Sequence, residues 1–215
     1  MRIHRFFSGL LVLFLFSGLS FGQKLFIDFE KYETGRFPTD FISTFTGNGI
    51  PGIWKIKEDE TAPSPSKVMA QLSSRNFGYH FNLAVVKNTN FSNLKLSVYF
   101  KAIRGKEDRG GGPVWRYLDA NNYYIARANP LENNFRVYKV VGGIRRMMAT
   151  VNLKITSGKW HRIDIENIEN EIKCYYDGKL YLNVKDNTFK SGKVGLWTKA
   201  DAVTYFDNLN VEEIK

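Results

Sequence analysis

The chain has 215 residues, with 31 Lys and Arg against 21 Asp and Glu, a formal net charge of +10. That length is ample for a hydrophobic core without disulfides or metals to hold it together. A single cysteine, Cys174, excludes an internal disulfide, and three histidines argue against a histidine-based zinc site.

The first residues read as an export signal. Arg2, His4 and Arg5 open it positively, Phe6 to Phe16 is almost wholly apolar, and Ser20-Phe21-Gly22 supplies small residues for cleavage before Gln23. The apolar run is shorter than the roughly 20 residues a membrane span needs. No cysteine follows it for lipidation, and no later segment is apolar enough to cross a bilayer. The expected mature chain, 23–215, is one domain, secreted or periplasmic, with no transmembrane anchor. Loss of Arg2 and Arg5 leaves 29 basic against 21 acidic residues, or +8. An excess of that size favours anionic partners over neutral ones. Nucleic acid is not expected, because an exported chain seldom meets it and no Lys/Arg run exceeds Arg145-Arg146.

The mature part alternates short apolar runs with Gly, Asn, Asp and Pro punctuation, which predicts strands. Strands are expected at Leu25 to Phe29, Gly52 to Lys57, Val68 to Leu72, Tyr79 to Val86 and Leu94 to Ile103. Glu58 to Ser66 is a polar, Pro-bearing loop. Arg104 to Gly112, RGKEDRGGG, has neither the helix nor the Lys-Ser/Thr of a phosphate-binding loop. It reads as a hairpin tip or the wall of a cleft. Further strands are expected at Val114 to Leu118, Tyr123 to Ala128, Phe135 to Val141, Arg145 to Leu153 and Trp160 to Ile165. The last four are Glu171 to Tyr176, Lys179 to Val184, Lys193 to Thr198 and Val203 to Val211. Asp177-Gly178 is a two-residue hairpin turn, and Gly142-Gly143 is another tight turn. No segment has a helical period. The fold class is all-β, a two-sheet antiparallel sandwich.

The densest chemistry lies in Gly110 to Lys139, where Trp115, Tyr117, Tyr123, Tyr124, Phe135 and Tyr138 mix with arginines and amides. Rings stack on the apolar faces of sugars, and guanidinium forks donate to hydroxyl or carboxylate oxygens. The ligand-binding candidates are Arg116, Asp119, Asn122, Tyr124, Arg127, Asn129 and Arg136. If Asp119-Ala120-Asn121 is a hairpin loop, Arg116 opposes Tyr124, and these two share a face with Asn122. Trp115, Tyr117, Tyr123 and Arg127 then share the other. One face must be core and the other exposed; alternation alone does not say which.

Several blocks, in order, resemble the concanavalin A-like lectin/glucanase superfamily near its laminin-G-like branch. They are Asp28-Phe29-Glu30, Trp115-Arg116-Tyr117, Trp160-His161, Tyr176-Asp177-Gly178-Lys179, Gly192 to Trp197, and Phe206-Asp207-Asn208-Leu209. The resemblance implies a jelly-roll sandwich and, by its spread of functions, either a lectin-like carbohydrate-binding domain or a hydrolase. It extends to secreted domains assigned to 3-keto-disaccharide hydrolases. It also implies a structural calcium ion held by Asp28, Glu30 and Asp207, which carry hard oxygen ligands.

No catalytic residue stands out. Glu132 and Asp119 are the carboxylates a glycosidase or keto-sugar hydrolase would use here. The nearest match to the alternating acids of laminarinase-type enzymes is Asp164-Ile165-Glu166-Asn167-Ile168-Glu169, which begins with Asp and reads as a solvated edge or hairpin. His161 has no evident carboxylate partner and reads as a packing residue. Cys174 shares a strand face with Ile172 and Tyr176 and reads as buried and inert.

Overall fold

The computed structural model describes residues 22–214; the expected export signal lies outside them, apart from Gly22. Alternation and turn residues produce strands throughout, and no helix forms among the described residues. The strands are β1 (Lys24–Ile27), β2 (Phe41–Gly47), β3 (Trp54–Glu58), β4 (Lys67–Gln71), β5 (His80–Val86), β6 (Leu94–Arg104), β7 (Gly112–Asp119) and β8 (Asn122–Asn129). They continue as β9 (Asn134–Val141), β10 (Ile144–Asn152), β11 (Trp160–Ile168), β12 (Glu171–Tyr176), β13 (Lys179–Lys185), β14 (Lys193–Lys199) and β15 (Val203–Glu213).

Two antiparallel sheets stack face to face. One has eight strands in the order β13-β12-β11-β6-β15-β4-β3, with β1 also paired to β15; the other runs β10-β9-β8-β7-β14-β5-β2. The fold is the antiparallel sandwich that alternation implied. Strand β2 went unanticipated because FISTFTG mixes Ser, Thr and Gly without clean alternation. It forms the edge of the seven-stranded sheet, paired only to β5. Strand β11 is not an edge: it lies between β6 and β12, so Asp164 and Glu166 project from the middle of a sheet.

The main core lies between the sheets and includes Phe100, Trp115, Tyr124, Phe135, Ile163, Cys174, Leu196 and Phe206. A second apolar cluster covers the other side of the seven-stranded sheet, with Phe81, Leu83, Val85, Val114, Tyr123, Ile125, Tyr138 and Trp197. The curl of that sheet explains it. Tyr79, just before β5, donates its hydroxyl to Gly143 O at 2.9 Å. Thr46 of β2 meets the Tyr123 hydroxyl of β8 at 2.6 Å. In a flat sheet these partners would sit roughly 20 Å apart, at about 4.8 Å per strand. The sheet therefore closes on itself and buries a face that an open sandwich would expose.

Candidate functional site

The β7–β8 hairpin departs from the expected register. Asp119 pairs with Asn122 across a two-residue turn, and Trp115, not Arg116, opposes Tyr124. Arg116 sits at φ +44° in a bulge between Trp115 and Asp119. A bulge of this kind re-aims one side chain. Here it turns Arg116 out of the end of the sandwich, while Trp115 and Tyr124 stack in the core at 5.6 Å. Gly192 makes room for it, since a Cβ there would lie 2.5 Å from the Arg116 carbonyl carbon.

The seven candidate ligand residues consequently separate. Arg116 is buried and bonds only to carbonyl oxygens, of Ser92 at 3.0 Å, Glu169 at 3.1 Å and Phe189 at 2.8 Å. It pins three loops together and forms the floor of a 480 Å³ cavity lined also by Asn93, Glu169 and Lys190. Tyr124 points into the core, and its hydroxyl donates to Asp186 at 2.5 Å. Asp119 caps its own turn, accepting from Asn121 N at 2.7 Å and from the Asn122 amide at 2.9 Å. Asn122 in turn accepts from Gly142 N at 3.1 Å. The expectation of one exposed face on this hairpin is overturned: both faces are buried, one between the sheets and one inside the curl.

Arg127, Asn129 and Arg136 do come together, on the concave side of the seven-stranded sheet, with Glu132 beside them. Arg127 is 1% exposed and pairs with Asp108 at 2.7 Å and Glu132 at 2.8 Å. Its Nη2 also donates to Asn134 Oδ1 at 3.1 Å. Arg136 reaches the same Glu132 oxygen at 2.9 Å, and Asn129 donates to Asp108 at 3.2 Å. Burial alone would raise Glu132, but the Asn134 amide and the charges of Arg127 and Arg136 outweigh it and hold the carboxyl below its usual range. Burial pushes Asp108 up to about 6 against the pull of Arg127 and Lys199, so it is ionised at neutral pH.

Asp108 belongs to the charged loop Arg104 to Gly112, which walls the concave face. Asp201 clamps that loop by accepting from Lys106 N at 2.6 Å, Glu107 N at 3.1 Å and Asp108 N at 3.0 Å. Glu107 ties it onward to Gly78 N at 2.8 Å and Lys199 at 3.0 Å. Two further residues of the site lay outside the candidate set. Arg145 places its guanidinium over the rings of Tyr138 at 4.5 Å, Phe81 at 4.7 Å and Trp197 at 5.8 Å. Tyr79 packs its ring, tilted, against Phe81 at 4.7 Å and accepts from Arg145 N. The dipeptide Arg145-Arg146 marked Arg145 only as charge; its contacts come from strands far away in sequence.

Two N–H donors on this face have no acceptor among the described residues although they are buried, Arg127 Nε and Arg145 Nη1. Buried donors are seldom left unpaired.

The candidate acids and histidines build no catalytic pair on this face. Glu132 and Asp119 follow and precede β8, at its opposite ends, so they do not converge. Asp164 is engaged by Arg162 at 2.8 Å and Glu166 by Lys95 at 3.9 Å, in a 470 Å³ groove across the outer face of the eight-stranded sheet. His161 has the carboxylate partner the sequence hid, since its Nδ1 lies 2.8 Å from Asp177 Oδ2. His80 is buried between Asn48 O at 2.6 Å and Asn82 Oδ1 at 2.9 Å.

The oxygens expected for calcium already serve backbone N–H groups. Asp28 accepts from Glu30 N at 3.2 Å, Glu30 from Lys67 N at 2.7 Å, and Asp207 from Ser64 N at 2.8 Å. The Lys67 ammonium takes the Glu30 and Tyr32 carbonyls. Burial, with the nearby charges of Glu30 and Asp28, raises Asp207 to about 6. Among the described residues, no three His, Cys, Asp or Glu side chains form a metal-binding group.

Fold and site together define a two-sheet antiparallel β-sandwich whose curled sheet carries an arginine-rich concave face. Solved structures share this fold. The carbohydrate binding module CBM66 from Bacillus subtilis superposes with a TM-score of 0.63 at 20% identity, covering 80% of this chain and 95% of that one. A Bacillus subtilis protein of unknown function with a galectin-like fold gives 0.55 at 9% identity, covering 81% and 89%. Domain 4 of AbnA, an extracellular arabinanase of Geobacillus stearothermophilus solved with arabinotriose, gives 0.54 at 12%, covering 80% and 82%. At these identities the likeness is one of fold. No protein-family model and no curated protein matches the sequence.

Proposed function

We propose that this chain is an exported, non-catalytic carbohydrate-binding domain whose ligand lies on the concave face of the seven-stranded sheet. The observation that carries the reading is the partly exposed polar rim of Arg136, Glu132, Arg145 and Tyr79, set around the buried Arg127 and Trp197. Arg136, Glu132 and Tyr79 are partly exposed on that rim and supply directional donors, an acceptor and a ring edge. Sugars offer dense oxygen acceptors on one side of the ring and C–H groups on the other, which suits such a mixture. The sandwich fold shared with a carbohydrate binding module and an arabinanase domain supports the same reading.

A binding role is favoured over hydrolysis by the state of the acids. Glycoside cleavage needs two carboxylates facing one bond. Here Glu132 is neutralised by two arginines, Asp108 is fully buried, and Asp119 caps a distant turn. The test is a glycan array probed with residues 23–215, followed by calorimetry on any hit. Arg136→Ala should weaken binding about tenfold, the equivalent of roughly 1.4 kcal/mol. A protein that binds no neutral or acidic glycan on the array would sink the proposal.

A further inference from the structure

Arg145 differs from every other arginine buried on or near this sheet. Arg127 has two carboxylates and an amide oxygen, and Arg116 has three carbonyls. The Arg145 side chain donates to nothing: among the described residues no hydrogen bond or ion pair within 4 Å involves its guanidinium, and its Nη1 is buried. A guanidinium carries five N–H donors. Three aromatic rings lie around it within cation–π distance, which holds the charge in place without supplying a hydrogen-bond acceptor.

The charges around it sharpen the point. Each acid on this face already has its own cation: Asp108 has Arg127, Glu132 has Arg136, and Glu107 has Lys199. Arg145 is the cation left over. Its backbone is fixed by the Tyr79 hydroxyl, which bridges Arg145 N and Gly143 O. Tyr79, 44% exposed, and Met147, 55% exposed and two residues along the same strand face, flank it with apolar surface.

We infer that Arg145 is the receptor for an acid group on the bound sugar, with the sugar's C–H face against Tyr79 and Met147. The inference rests on the concave-face reading and narrows its ligand to an acidic saccharide. A planar carboxylate, as in a uronic acid, matches the fork bidentately; a sulfate ester offers the same oxygens in tetrahedral array.

The experiment titrates the wild type, Arg145→Gln and Arg145→Lys with a galacturonic acid trimer, a galactose trimer and a sulfated galactose trimer. Thermal melts of each variant establish that it is folded. The wild type should prefer an acidic trimer over the neutral one by tenfold or more in 50 mM salt, and the preference should shrink as salt rises. Arg145→Gln should bring the preference close to one, and Arg145→Lys should keep only part of it, having charge without the fork. Preference for the uronate or for the sulfate, lost in Arg145→Gln, supports the inference and tells the two acid groups apart. Equal binding of neutral and acidic trimers, unchanged in Arg145→Gln, overturns the inference and leaves the concave-face reading standing. If no trimer and no arrayed glycan binds, both fall.

Discussion

Replacing Arg127 with Met isolates the electrostatics of the concave face. The side chain is 1% exposed, and Asp108, its partner at 2.7 Å, is fully buried. Met fills much of the aliphatic volume but leaves Asp108 with only the Asn129 amide at 3.2 Å and Lys199 at 3.9 Å. Removing one member of a buried pair strands the other charge, a loss of about 3–5 kcal/mol. Glu132, with its side chain 37% exposed, still has Arg136 and water, so it adds little. Urea unfolding at pH 7.5 should show that loss as a lower midpoint with an unchanged slope. The double variant Arg127→Met, Asp108→Leu should recover most of it, because no charge is then stranded. The pH dependence has a definite sign. Asp108 titrates at about 6 in the fold, above its ordinary carboxylate range, so between about pH 4 and 6 the folded state holds more protons than the unfolded. Its contribution therefore grows as pH falls through 6. In Arg127→Met the folded value rises further, so the penalty at pH 7.5 should shrink at pH 5. A single-variant loss below about 1 kcal/mol, or no recovery in the double variant, would refute the reasoning.

Other variants probe the supports of the site. Asp201→Ala removes three bonds to backbone N–H groups of residues 106–108; at about 1 kcal/mol or more for each bond to a charged acceptor, the melting temperature should fall by several degrees. Hydrogen exchange at those amides should rise in the same variant. Arg116→Ala strands the carbonyls of Ser92, Glu169 and Phe189 and should cost roughly 3 kcal/mol, measured by denaturant midpoint. It should leave concave-face binding of the surviving folded protein intact. Cys174 is fully buried and burial pushes its thiol far up, so a thiol reagent should react only after denaturant is added. Stoichiometric reaction in the native state would contradict that burial.

Much of this fold was legible because its causes are local. Fourteen of the strands announced themselves by alternation, and Asp177-Gly178 and Gly142-Gly143 turn where their left-handed conformations require. Strand β2 escaped because its pairing with β5 decides its conformation more than its own residues do. The hairpin register escaped because one bulge at Arg116 shifts every pairing beyond it, and no residue type in Trp115-Arg116-Tyr117 announces a bulge. Arg127, Asn129 and Arg136 were visible as ligand candidates and Glu132 as a carboxylate candidate, though only the β8–β9 pairing brings them together. Asp108, Tyr79, Arg145 and Trp197 were not, since they reach the same spot from loops and strands scattered from residue 79 to 197.

The sequence by itself determined the chemistry available: an all-β chain, rich in rings and arginines, with one inert thiol and a surplus of positive charge. Only the tertiary structure decided how that chemistry is spent. Stacking of the two sheets buried one face of the β7–β8 hairpin and curling of the seven-stranded sheet buried the other, where alternation implied one inside and one outside. The same curl brought acids from distant loops onto Arg127 and left Arg145 between rings with no partner, while the bulge in β7 sent Arg116 to carbonyls at the end of the sandwich. Charge pairing depends on contacts between residues far apart in the chain, and alternation carries no information about those.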